Sequence, residues 1–331
     1  MTFRQSIFHV LIVASLVTAC SKDNDPEPPP PLEPTRIDTL TKGWQKSFPN
    51  NLGLYGQYLR DVFFVDANIG YACATTVISK TTDGGLTWGA FTPPQAGGIS
   101  DLFFIDANHG WTVDRELGNT MLRTTDGGNS WKLITIPQNA YPLSNVQFLN
   151  HRLGYMTSAS QGLLQSTDSG NTWKPVVSNK TSLGTGLYFI DSLRGWITNG
   201  QDVRYTLDAG KTFQDQKVTT EANKSSCIQF TDAMHGWINS NKGLWKTSNG
   251  GSKWELVKEG NASTVDLHFF DQNKGYILRQ NIIYKTMDGG ASFTKAVDMA
   301  GLYYRIYKIH FTDEHHGWAI ADGNVLLRFN D

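Results

Sequence analysis

The sequence carries almost no net charge, with 29 Lys and Arg against 30 Asp and Glu in 331 residues. There is no basic field to draw in nucleic acid and no acidic field to draw in cationic partners. Long apolar helical stretches are also scarce, and none has the length of a transmembrane span. What the chain has instead is aromatic: 10 Trp, 12 Tyr and 17 Phe, with 32 Gly to make turns. Aromatics and turns without helical periodicity indicate an all-β protein, long enough to bury a sizeable core.

The N-terminus reads as targeting. Arg4 precedes a short apolar run, Ile7 to Val17, that ends in small residues. Val17-Thr18-Ala19-Cys20 resembles the lipobox of bacterial lipoproteins. That resemblance implies a signal peptide over 1–19, cleavage before Cys20 and a diacylglycerol on its thiol. The following stretch, 20–38, is rich in proline and favours an extended polyproline II spacer. The expectation is a cell-envelope protein held by lipid at the outer membrane of a Gram-negative cell, and the charged stretch Ser21-Lys22-Asp23-Asn24-Asp25 resembles surface-export signals of some such lipoproteins.

Repeats determine the fold of residues 39–331. Seven segments share an opening of the form apolar-x-Phe-x-Asp-x-x-x-Gly-aromatic, with Asn150 replacing Asp in the third. Their glycines are Gly70, Gly110, Gly154, Gly195, Gly236, Gly275 and Gly317, a period of about 41 residues. A second motif follows in phase, as in Thr81-Thr82-Asp83-Gly84-Gly85-Leu86-Thr87-Trp88. Its acidic or amide positions are Asp83, Asp126, Asp168, Asp208, Asn249 and Asp288. Each repeat supplies four strands, A to D. The carboxylate of the second motif accepts backbone N–H groups of its own turn, and a glycine supplies a positive φ. The aromatic that opens the next strand wedges between sheets. A four-stranded sheet cannot bury both faces alone, so the units stack radially into a propeller.

The seventh repeat stops at Asp331, before any strand D, whereas Gly43-Trp44-Gln45-Lys46 reads like a strand D ahead of the first repeat. The expected fold is therefore a seven-bladed β-propeller of four-stranded antiparallel blades, its last blade closed by an N-terminal strand. Cys73 and Cys227 fall in non-adjacent blades, too far apart for a disulfide, which needs Cα atoms within about 7 Å, and are expected as buried free thiols.

The two motifs resemble the Asp-box, or bacterial neuraminidase, repeat superfamily, and within it the seven-bladed photosystem II assembly and stability factor family. The resemblance runs from about residue 40 to the end. It implies a monomeric scaffold that binds protein partners during membrane-complex assembly, without catalysis and without a cofactor. No feature specific to chlorophyll proteins is present, so a photosystem role does not follow. Sialidases share the Asp-box, but there it is a structural turn. They also need three arginines on a carboxylate and a Tyr nucleophile assisted by Glu, and no Arg-Ile-Pro opening is present here. No paired carboxylates flanked by arginine clamps mark a glycosidase either. A carbohydrate-binding or carbohydrate-active propeller remains the alternative, with a glycan as its ligand.

Three sets of residues are candidates for a site. His109, His235 and His316 precede motif glycines, but in blades II, V and VII, which share no border, so no common metal is expected. Period-two alternation turns a second set towards the axial channel, among them Asp61, Asp266, His268, Lys308 and His310. These are candidates for an ion or a small polar ligand, with a hydrated polar channel as the simpler expectation. The third set lies on loops at the opposite face from the Asp-boxes: Tyr55, Tyr58, Arg60, Arg115, Tyr141, Tyr303, Tyr304 and Arg305. Tyr and Arg are enriched at binding hot spots, which makes these the partner-binding candidates.

Overall fold

The computed structural model describes residues 39–40, 43–47, 52, 54, 57–93, 98–114, 120–136, 140, 142–176, 186–198, 202–218, 225–260, 265–299 and 305–331. Cys20, the tether, Tyr55, Arg115, Tyr141, Tyr303 and Tyr304 lie outside them. Residues Asp38–Asp331 form one compact unit.

Seven antiparallel sheets follow one another along this unit. Blade I consists of Asp61–Phe64, Gly70–Cys73, Ile78–Thr81 and Gly89–Phe91, paired in chain order. Blades II to VI repeat that order from Ile99 to Asp298. Blade VII takes three strands from the C-terminal end, Ile306–Phe311, His316–Ala321 and Val325–Asn330. Its outer strand is Trp44–Ser47, paired antiparallel so that Trp44 faces Phe329. The seven-bladed all-β propeller with N-terminal closure is thus as the repeats predict. One strand was not foreseen: Thr39–Leu40 pairs with Asp298 and Val297, adding a fifth strand to blade VI.

The repeat motif acts through one packing unit. The aromatic that opens strand B of each blade stacks on the strand-A Phe of the next. The pairs are Tyr71 on Phe104, Trp111 on Phe148, Tyr155 on Phe189, Trp196 on Phe230, Trp237 on Phe269, Tyr276 on Phe311, and Trp318 on Phe64. Centroid separations run from 3.5 Å for Trp318 on Phe64 to 4.3 Å for Tyr276 on Phe311. All seven strand-B rings are buried. Most of these rings also donate to the turn region of the next blade, as Trp318 Nε1 does to Gly84 O at 2.9 Å and Trp111 Nε1 to Ser169 O at 3.0 Å. On its other side each Phe lies over the motif glycine of its own blade, where a Cβ would overlap the ring. The glycine of the first motif is therefore required for ring clearance. The positive φ belongs to the second motif, for example +72° and +93° at Gly84 and Gly85.

The Asp-box turns form as the residue types predict. Asp126 Oδ1 accepts the Ser130 N–H at 2.9 Å and Oδ2 accepts the Ser130 hydroxyl at 2.6 Å, while Thr124 Oγ1 accepts the Gly128 N–H at 2.8 Å. Asp83, Asp168, Asp208 and Asp288 repeat the pattern. In blade V the acceptor is Asn249, which has only one oxygen, taken by Thr247 Oγ1 and the Lys253 N–H. The hydroxyl of the other boxes is replaced there by Lys253, which turns out to Glu255 at 2.8 Å. The Cys73 thiol is buried, as expected, whereas that of Cys227 is only half-buried, its Sγ 3.7 Å from Asn239 O.

Candidate binding site

The axial set meets where alternation places it. A cavity of about 240 Å³ is lined by Asp61, Phe63, Asp101, Asn145, Gln147, Tyr188, Asp266, His268, Lys308 and His310, together with neighbouring inner-strand residues. Innermost strands are sheet edges, and their polar side chains bond the backbone of the next blade. Asp61 Oδ2 accepts Leu102 N–H at 2.8 Å, Asp266 Oδ2 accepts Ile309 N–H at 2.9 Å, and His310 Nε2 lies 2.8 Å from Phe64 O. Gln147 makes a paired bond to Phe189 N–H and O, and Gln229 does the same to Phe269.

Electrostatics around the cavity follow from burial. Lys308 Nζ stands 3.3 Å from Asp61 Oδ1, and that carboxylate holds the ammonium above the usual lysine range despite burial, with Asp266 adding to the effect. Burial raises the Asp266 carboxyl, against the pull of Lys308. Burial also pushes His268 down to about 3 and His310 to about 4, so both imidazoles are neutral at physiological pH. The two rings are 6.2 Å apart, and His310 packs 4.6 Å from Phe63. Asp61, Asp266 and His310 are thus engaged in linking blades VI, VII, I and II.

The loop face differs. Residues 57–60 cross from the closing blade to blade I and are fixed by their backbone. Asn324 Oδ1 accepts the Leu59 N–H at 3.0 Å, Asn324 Nδ2 donates to Gln57 O at 3.1 Å, and the Tyr307 hydroxyl donates to Leu59 O. Leu59 fills the apolar contact below. Tyr58 therefore points away from the packed side and is 68% exposed. It borders a cleft of about 470 Å³ with Leu59, Arg60, Ser100, Arg305, Tyr307 and Asp322. Ser100 and Tyr307 each occupy a register shift in an innermost strand, between Ile99/Asp101 and Ile306/Lys308, and such bulges re-aim a side chain out of the ladder. Arg305 Nε stays 4.0 Å from Asp322 Oδ2, and its side chain is mostly exposed.

Of the partner-binding candidates, Tyr58, Arg60 and Arg305 come together at this cleft; the other five lie outside the described residues. Sequence reading missed Ser100, Tyr307 and Asp322, because their placement depends on bulges and on the Asp322–Asn324 turn. It also missed His151, which faces His109 across the border of blades II and III. A signal was present: blade III carries its histidine at the second position of the turn, next to a blade whose histidine is at the fourth.

Residues 93–210 match the family model described as photosynthesis system II assembly factor YCF48. Among solved structures the chain is similar to YCF48 bound to D1 peptide, at 22% identity and a TM-score of 0.72, covering 88% of this chain and 96% of that one. It is also similar to YCF48 from Cyanidioschyzon merolae, at 20% identity, a TM-score of 0.70, and coverage of 87% and 99%. A virginiamycin B lyase from Staphylococcus aureus shares the fold at 13% identity and a TM-score of 0.68, with coverage of 87% and 99%. No curated protein sequence matches the chain. The repeats over 93–210 thus match this family's model, and the seven-bladed fold is shared with its solved members.

Proposed function

We propose that this propeller is a non-enzymatic binding scaffold that holds a protein partner at the cleft between blades VII and I, tethered to the cell envelope through lipid on Cys20. The observation that carries the reading is Tyr58, an exposed ring on a backbone-fixed loop, beside Arg60 and Arg305 at a preformed cleft. An aromatic ring on a fixed backbone loses little entropy on binding, and Tyr and Arg are enriched among the residues that dominate interface energies. The cleft offers Asp322 for a basic group and the mostly exposed Arg305 for an acidic one, suiting an extended peptide segment of mixed charge. The similar propeller with a bound D1 peptide supports a protein ligand for this architecture. At the axial cavity, the carboxylates and His310 serve inter-blade bonds, which counts against a catalytic role there.

The test is affinity capture from crosslinked cells, comparing the native protein with a Tyr58→Ala/Arg305→Ala variant of unchanged thermal midpoint. A discrete partner lost from the variant supports the reading. Equal recovery of the same partner from both would remove this cleft as the binding face.

A further inference from the structure

On the Asp-box face, three A–B turns place a histidine three residues after an aspartate, and all three histidines touch that aspartate. His235 Nδ1 is 2.8 Å from Asp232, and His316 Nδ1 is 2.8 Å from Asp313. His109 Nδ1 lies 2.9 and 3.0 Å from the two oxygens of Asp106. Only here does a further histidine approach from the next blade: His151 Nε2 stands 3.5 Å from Asp106 Oδ2, and the two imidazoles are 4.6 Å apart. The corresponding turns beside the other two, residues 271–274 and 66–69, contain no histidine.

We propose that Asp106, His109 and His151 form a binding site for a divalent transition ion such as Zn²⁺, bridging blades II and III.

The geometry suits the ion. Ligands at about 2.0–2.1 Å around a tetrahedral Zn²⁺ lie about 3.4 Å from one another. The carboxylate stands 3.0 Å from one imidazole nitrogen and 3.5 Å from the other, so small side-chain rotations seat the ion. Asp106 Oδ1 is already occupied by the N–H groups of Asn108 and His109, at 2.7 and 2.8 Å, which fixes the carboxylate and leaves Oδ2 for the ion. An N₂O donor set selects Zn²⁺, Co²⁺, Ni²⁺ or Cu²⁺ over Mg²⁺ and Ca²⁺, which prefer oxygen throughout. The fourth position is left to water.

The test uses the purified, tag-free full chain titrated with Co²⁺, read by its visible absorption, with Zn²⁺ as competitor. The site predicts one equivalent of Co²⁺ with a tetrahedral-type band, displaced by Zn²⁺. His151→Ala should weaken binding at least tenfold, whereas His235→Ala should leave the titration unchanged. His151 is largely exposed, so its removal does not threaten the fold. Absence of a band in the native chain, or the same band in His151→Ala, would overturn the assignment.

Discussion

The indole of Trp318 lies flat on the ring of Phe64, 3.5 Å between centroids and 3° between planes. These residues belong to the last and first blades, so the ring closes through the same contact that joins every other pair of blades. The side-chain contact at the closure is the one found at the other blade borders, while the outer strand of blade VII, Trp44–Ser47, comes from the other end of the chain.

Phe64 therefore serves two blades at once. Phe64→Ala should cost about 3–5 kcal/mol, the range for deleting a buried aromatic. Gly70→Ala should cost about 1–3 kcal/mol, because the added methyl meets that same ring. Urea unfolding followed by tryptophan fluorescence measures both. Near-neutral values would remove the stacking unit as the source of blade cohesion.

Trp44 is buried and packs against Phe329, Tyr276 and Phe311, with centroids 5.3, 6.5 and 6.1 Å away. Trp44→Ala should lower stability by about 3–5 kcal/mol. Hydrogen exchange should quicken first at Val325–Asn330, the strand that Trp44–Ser47 covers. Exchange rising equally in every blade would instead mean that the ring opens as one body.

The Asp-box carboxylates set an acid limit. The Ser130 hydroxyl, then its backbone N–H, holds Asp126 at about 2, and Ser292 does the same for Asp288. These values lie below the unfolded one of about 3.9, so the boxes add stability that is present above pH ~4 and fades as pH falls towards ~2. Ser130→Ala should move the Asp126 pKa upward, read from its side-chain carboxyl shift by NMR. An unmoved pKa would show that the hydroxyl bond is not what holds it down.

Lys308 neutralises Asp61 and faces Asp266 in the axial cavity. Lys308→Met should cost about 3 kcal/mol by leaving two carboxylates without their cation. Adding Asp61→Asn should recover part of that loss. A double-mutant cycle by chemical unfolding gives the coupling, and strictly additive effects would mean that the pair contributes nothing.

Blade number, strand order and closure were legible because each rests on residues that recur: the Phe, the glycine beneath it and the strand-B aromatic form one contact repeated seven times. Alternation along strand A likewise identified the axial residues, since side-chain direction there depends only on parity. What stayed hidden depended on local departures from the repeat. The bulges at Ser100 and Tyr307 have no composition of their own, and the added strand Thr39–Leu40 is too short to show a pattern. The pairing of His151 with His109 is not visible from the repeat alone, because the two residues occupy different positions of adjacent turns.

If the Tyr58 cleft holds a protein partner, as proposed, a photo-crosslinking amino acid at position 58 will capture that partner in cells. A matching probe at Leu207, exposed on the Asp-box side of blade IV, serves as the control. After irradiation, position 58 should give one discrete adduct and position 207 none of that mass. The same adduct from both positions, or an adduct from 207 alone, would contradict the proposal.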